Sequence, residues 1–140
     1  VHLGRNDMHW ETARKVFGND ALIGVSTHSW MELDSYRNAR VQYAGLGPFR
    51  FTRTKEKLDA VLALEGIKEV IAQKRMDDFD LPLIAIGGIE LKDVQSLLNV
   101  GVNGIAVSSA ISRSSNPMET AQAFLQQVRI FKEEKEIIQP

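Results

Sequence analysis

Leu83-Ile84-Ala85-Ile86-Gly87-Gly88 and Gly104-Ile105-Ala106-Val107-Ser108-Ser109 are two apolar runs that stop abruptly at glycine or serine. Helix-patterned sequence follows each. Short apolar runs bounded by turn formers read as strands, and strands alternating with helices build a parallel sheet. Glycine lets the backbone come close to an anion, and amides at a helix start donate to it. In a (β/α)₈ barrel the loops after the last two strands commonly form a phosphate site. The two runs therefore point to a phosphate-binding barrel, and so to an enzyme.

Outward from these runs the chain reads as five βα units. Val1–Leu3 is the stub of a first strand, and a helix opening at Met8 to Glu11 runs to about Phe17, where Gly18-Asn19 ends it. Leu22–Val25 is the second strand. Ser29 caps a helix from about Trp30 to Asn38, with Glu32 completing a capping box. Val41–Leu46 is the third strand. Gly47–Lys57 is polar and aperiodic, a loop that is functional or disordered. Helical text from about Glu65 to Lys74 leads to the strand Leu83–Ile86. Leu91, Val94, Leu97 and Leu98 stripe the next helix, Gly101 closes it, and Ile105–Val107 is the fifth strand. Asn116, Pro117 and Glu119 open a last helix striped by Met118, Ala121, Phe124, Leu125, Val128 and Phe131. The charged tail Lys132–Pro140 is expected to fray.

The fold class is therefore α/β. An open flavodoxin-like sheet is the rival, weakened because no Gly-x-Gly-x-x-Gly follows the first strand. The favoured architecture is a partial TIM (β/α)₈ barrel: a single domain, residues 1–140, formed by the last five βα units with parallel strands. The chain starts without Met on a strand already under way. Roughly the first three βα units are expected to be missing.

Composition narrows the function. The 140 residues carry a net charge of −1, which argues against nucleic acid as a partner. The absence of cysteine excludes disulfides, thiolate metal sites and cysteine nucleophiles. No apolar run approaches the ~20 residues of a membrane helix. A cytoplasmic protein with no membrane partner is the expectation.

Five ordered motifs then carry a resemblance. Val1-His2-Leu3-Gly4-Arg5-Asn6-Asp7, Gly24-Val25-Ser26-Thr27-His28, Gly45-Leu46-Gly47-Pro48 with Thr52-Arg53-Thr54-Lys55, Ile86-Gly87-Gly88-Ile89 and Ser109-Ala110-Ile111 stand in the order found in thiamine phosphate synthases. The chain resembles that family over nearly its whole length. The resemblance implies a (β/α)₈ barrel that condenses hydroxymethylpyrimidine diphosphate with hydroxyethylthiazole phosphate and releases pyrophosphate, using Mg²⁺. Its partners would be those phosphorylated pyrimidine and thiazole substrates, with homo-oligomerisation allowed.

By the same resemblance Asp7 would hold the metal, against the plain reading that it caps the following helix. Lys55 and Ser26 would contact the pyrimidine diphosphate as the catalytic pair. Thr52 and Thr54 would bind the thiazole phosphate, clamped by Gly88, Ser108 and Ser109. His28 is read as a structural histidine near a helix start, and Arg5 and Arg53 as surface residues. Trp10 and Trp30, on helices, are read as core rather than as a stacking platform with Phe49 and Phe51.

Arg5 stands where the family usually has glutamine, and Phe51 where it usually has proline. The match starts at the barrel's fourth strand, so a Gln-x-x-x-Lys segment and an Asn-Asp pair of the diphosphate site are absent from the sequence. On that basis the 140-residue chain alone is expected to be inactive, and to be unstable, to pair with a second copy, or to belong to a longer polypeptide. A thiazole tautomerase-like barrel and a non-catalytic phosphate-binding partial barrel are the alternatives.

Overall fold

The computed structural model describes residues 1–51 and 60–138. Within them β1 (His2–Leu3), β2 (Gly24–Thr27), β3 (Tyr43–Leu46), β4 (Leu83–Ile86) and β5 (Gly104–Ala106) form one sheet. Helices α1 (Trp10–Phe17), α2 (Trp30–Asp34), α3 (Ala63–Met76), α4 (Val94–Val100), α5 (Ser109–Ser112) and α6 (Pro117–Ile138) alternate with the strands or follow them. A 3₁₀ turn at Leu91–Asp93 leads into α4.

The strands lie side by side in chain order, and every neighbouring pair is parallel. A flavodoxin-like sheet would reverse its order once, so that rival is excluded. Ser26, Gly45, Ile84 and Gly104 share one row of the sheet, and Thr27, Leu46, Ala85 and Ile105 the next. Alternation sends successive side chains to opposite faces. Leu3, Val25, Ala44, Leu46, Leu83 and Ala85 join the core with Ala13, Leu33, Ile67, Val94, Leu97 and Phe124 from the helices. On the other face His2, Ser26 and Tyr43 meet one another.

Several boundaries differ from the sequence reading. β2 lies two residues later than Leu22–Val25: Leu22 is exposed, and Thr27 is drawn into the sheet, where its buried hydroxyl donates to the Gly45 carbonyl at 3.1 Å. α2 stops at Asp34 rather than Asn38. The Ser35 hydroxyl donates to Glu32 O at 2.6 Å, and three-residue turn bonds such as Arg37 N–H to Asp34 O replace the helical pattern. The tail expected to fray is helical through Ile138, and Phe131 anchors it in the core. Met118 and Leu125, placed in the apolar stripe of that helix, are exposed. The helix ends at Gly18 and Gly101 match the reading, both with positive φ.

Candidate active site

The parallel order brings all five strand termini to one edge of the sheet, where the loops carrying the motifs begin. After β1 the chain turns tightly: the Asp7 amide donates to Gly4 O at 3.0 Å, and the Gly4 amide donates to Asp7 Oδ2 at 2.6 Å. Asp7 therefore closes its own turn. The α1 N-cap is His9, so the helix-capping reading of Asp7 fails.

Ser26 sits near the end of β2, almost fully buried, with its hydroxyl 2.9 Å from His2 Nε2. His2 Nδ1 is 3.2 Å from the Tyr43 hydroxyl, and the two rings stack at 5.5 Å. A Cβ at Gly24 would run into the Tyr43 ring, so glycine there makes room for this trio. Ser26 is thus engaged across strands rather than in a local turn. Asp7 and Ser26 line one cavity of about 250 Å³, together with Arg5, Glu32, Ser35 and Tyr36.

Glu32 is the residue that sequence reading missed beside this cavity. The sequence reads it as half of a capping box, and the Ser29 hydroxyl does accept from the Glu32 amide at 3.2 Å. Its carboxylate, however, takes the His28 amide at 2.8 Å, lies 2.8 Å from His28 Nδ1, and accepts from Arg5 at 3.0 Å. Partial burial disfavours the charged form of Glu32, but the hydrogen bonds and charge of His28, with Arg5 behind them, prevail and hold its carboxyl below the ordinary value. His28 sits just before α2, where Glu32 holds both its amide and its ring. Arg5 lies at the surface, as read, and its guanidinium is paired with Glu32 there.

After β3 the chain passes through a cis Gly47-Pro48 bond and packs on the turn that follows β4. The Phe49 amide donates to Ile86 O at 2.8 Å and the Arg50 amide to Gly87 O at 2.9 Å. Gly87 and Gly88 both have positive φ, and a Cβ on Gly88 would stand 2.9 Å from the Arg50 carbonyl oxygen. Arg50 forks onto Asp93 at 2.9 and 3.0 Å. Neither partner was singled out in the sequence, because 43 residues separate them.

Ser108 is the N-cap of α5 but makes no side-chain cap bond, and Ser109 opens that helix, half-buried. Gly88, Ser108 and Ser109 share the carboxyl edge with Asp7 and Ser26 but do not line the cavity those two share. Thr52, Arg53, Thr54 and Lys55 lie outside the described residues. Trp10 and Trp30 pack against the core, as read; Phe49 is buried within it, and Phe51 is exposed.

Among the described residues no group of three or more acid or histidine side chains forms a metal cage. Mg²⁺ takes one or two carboxylates and completes its shell with phosphate and water oxygens. Asp7, exposed at the cavity and held by one backbone amide, fits as a single protein ligand of that kind.

Fold and edge together define a (β/α)-barrel protein whose polar groups gather at the carboxyl ends of its strands. The family model for thiamine monophosphate synthase matches residues 1–111, and the chain belongs to that family. It is 39% identical over 132 residues to a thiamine-phosphate synthase of Bacteroides thetaiotaomicron, covering 94% of this chain and 63% of the relative. A thiamine-phosphate synthase of Flavobacterium psychrophilum is 43% identical over 119 residues, with 85% of this chain and 58% of the relative covered. Among solved structures, a thiamine phosphate pyrophosphorylase from Pyrococcus furiosus superposes with a TM-score of 0.78 at 27% identity, covering 94% of this chain and 59% of that one. The chain thus spans about three fifths of the length of these relatives.

Proposed function

We propose that this chain is part of a transferase that condenses hydroxymethylpyrimidine diphosphate with hydroxyethylthiazole phosphate, giving thiamine phosphate and pyrophosphate. It would supply, as one domain, the last five βα units of the barrel. Membership of the thiamine monophosphate synthase family supports the reaction. The observation that carries the assignment of Asp7 and Ser26 is the cavity that both line at adjoining strand ends; the remaining residues are assigned by family membership alone.

In this reaction the bond from the pyrimidine methylene to the diphosphate oxygen breaks, and pyrophosphate leaves with the electron pair. The thiazole nitrogen supplies the pair for the new C–N bond. Negative charge grows on the departing phosphates, so preorganised donors and cations at the strand ends lower the barrier. Asp7 would hold Mg²⁺, which when bound neutralises the diphosphate and stabilises the leaving group. With the proton on His2 Nε2, Ser26 Oγ accepts from the ring and its own O–H is free to turn toward a diphosphate oxygen. Lys55 would add a compact positive charge to the same diphosphate. Thr52, Thr54, Gly88, Ser108 and Ser109 would hold the thiazole phosphate at the other end of the edge.

No helix among the described residues is long and apolar enough to cross a membrane. A cytoplasmic enzyme with small phosphorylated partners, free to self-associate, is consistent with that.

The test is product analysis on the full-length protein with both substrates and Mg²⁺. Stoichiometric pyrophosphate and thiamine phosphate are expected. Isomerised thiazole without pyrophosphate would replace the proposal with a tautomerase, and phosphate binding without turnover would replace it with a binding module.

A further inference from the structure

We propose that Arg50 is a positioning residue, which aims two consecutive backbone amides, those of Gly88 and Ile89, at an incoming phosphate. The inference rests on the reading of this edge as a phosphate site and names what sets its geometry.

Peptide planarity carries the argument. A trans peptide unit points its C=O and the following N–H in opposite directions. The Gly87 carbonyl accepts from the Arg50 amide at 2.9 Å, so the Gly88 N–H of the same unit faces away from the Arg50 loop. The Gly88 carbonyl accepts from Arg50 Nη1 at 2.7 Å, which turns the Ile89 N–H away from that loop as well. One residue thus fixes two successive peptide planes, through its backbone and its side chain. Gly87 and Gly88 have φ of 89° and 67°, values glycine adopts at no steric cost, and successive amides exposed along one side of such a turn make an anion-binding concavity.

Arg50 is itself held from behind. Both terminal nitrogens donate to Asp93, at 2.9 and 3.0 Å, a bidentate fork with geometric as well as energetic specificity. Asp93 is buried, and its Oδ2 also accepts the Glu90 amide at 2.8 Å. The guanidinium lies 5.1 Å over the Phe49 ring, and Glu90 stands 3.7 Å from Nη1 while pairing with Lys92 at 2.7 Å. A guanidinium forked onto a buried carboxylate, with a second acid beside it, is not a site for another anion. Arg50 acts through the turn, not by touching phosphate.

The experiment uses the full-length protein, with Arg50→Lys, Arg50→Met and Asp93→Asn. Lysine keeps the charge and loses the fork, which guards against simple misfolding. The KM for the thiazole phosphate should rise roughly tenfold in Arg50→Met and Asp93→Asn, and less in Arg50→Lys, the order expected when misalignment is the cause. The KM for the pyrimidine diphosphate should stay within about twofold, a split that general loss of structure would not produce. Arg50→Met combined with Asp93→Asn should be no worse than Arg50→Met alone. Titration with inorganic phosphate followed by ³¹P NMR reads the same turn without turnover, and its Kd should rise about tenfold in Arg50→Met. An unchanged phosphate Kd in a folded Arg50→Met variant, or equal losses for both substrates, overturns the proposal. A wild type that binds phosphate in an Arg50-dependent way yet releases no pyrophosphate overturns the proposed reaction and leaves this inference standing.

Discussion

Arg5 and Glu32 form a 3.0 Å ion pair that ties the loop carrying Asp7 to the first turn of the helix after Ser26. Both side chains are substantially exposed, at 57% and 40%, so the pair contributes little to stability by itself. Arg5→Gln should cost less than about 1 kcal/mol in urea unfolding. Glu32→Ala should cost more, about 1–3 kcal/mol, because it also strips the acceptor from the half-buried His28 amide. Equal costs for the two variants would show that the His28 bonds carry no weight.

The same carboxylate, with Asp93, sets an acid limit. Burial opposes ionisation of Asp93, but the Arg50 hydrogen bonds, the Glu90 amide and the nearby cations outweigh it and hold its carboxyl below the ordinary value. Glu32 is lowered in the same sense. A carboxyl with a depressed folded pKa stabilises the fold above its unfolded value and loses that contribution as pH falls through the folded one. Stability should therefore be flat from about pH 7 to about pH 5 with respect to these groups, then decline below about pH 4. Asp93→Asn should be less stable than wild type at neutral pH and lose less on acidification. Parallel pH curves for the two proteins would refute the assignment.

Gly47 and Gly88 hold the interlock between the loops after β3 and β4. A Cβ on Gly47 would run into the Ile86 carbonyl oxygen, an approach that backbone cannot accommodate without moving. On Gly88 it would meet Arg50 at 2.9 Å, with φ at 67° as a further cost. Gly88→Ala should destabilise by about 1–3 kcal/mol and Gly47→Ala by more. Thermal unfolding of the two variants checks the order, and a Gly47→Ala protein as stable as wild type would contradict the contact.

For the proposed chemistry, Lys55→Ala should lower kcat for pyrophosphate release by roughly two to three orders of magnitude, as loss of a charge-stabilising group does. Asp7→Asn should raise the Mg²⁺ concentration required for half-maximal rate while leaving the fold intact, since an amide oxygen can still accept from the Gly4 N–H. Steady-state assays across Mg²⁺ concentrations separate the two effects. Near-normal turnover in Lys55→Ala would remove that lysine from the site.

The parallel sheet and its strand order were legible because each βα unit carries local punctuation: Gly18, Ser29, Gly101 and Asn116 cap or end helices where the sequence places them. Chain-order pairing is what a barrel requires, and no residue pattern contradicted it. The limits of β2 and α2 were not legible, since they depend on long-range partners, the Gly45 carbonyl for Thr27 and the competing hydroxyl of Ser35. At the candidate site, Asp7 and Ser26 were proposed from their motifs, whereas Glu32 and Arg50 pair with residues 27 and 43 positions away. Local periodicity carries no trace of such pairs.

Arg14 is the clearest long-range anchor of that kind, at the edge of the sheet opposite the candidate site. It is 7% exposed, and it donates to the Gly18, Asn19, Ala21 and Arg40 carbonyls and to Gln42 Oε1 at 2.6–3.0 Å. The bonds join the end of α1 to the approaches of β2 and β3, and the same Gln42 oxygen accepts the Ile23 amide at 2.8 Å. Its acceptors are four carbonyls and an amide, so the cation is stabilised by dipoles, and its Nε is buried without a partner among the described residues. Arg14→Met keeps much of the volume but removes the donors from five part-buried hydrogen bonds, which should cost about 3 kcal/mol. Lysine supplies three donors from one point and cannot span acceptors gathered by two guanidinium nitrogens, so Arg14→Lys should recover only part of the loss. Urea unfolding of the three proteins gives the order, wild type above Lys above Met. A Met variant within about 1 kcal/mol of wild type would mean that water replaces the guanidinium at those carbonyls.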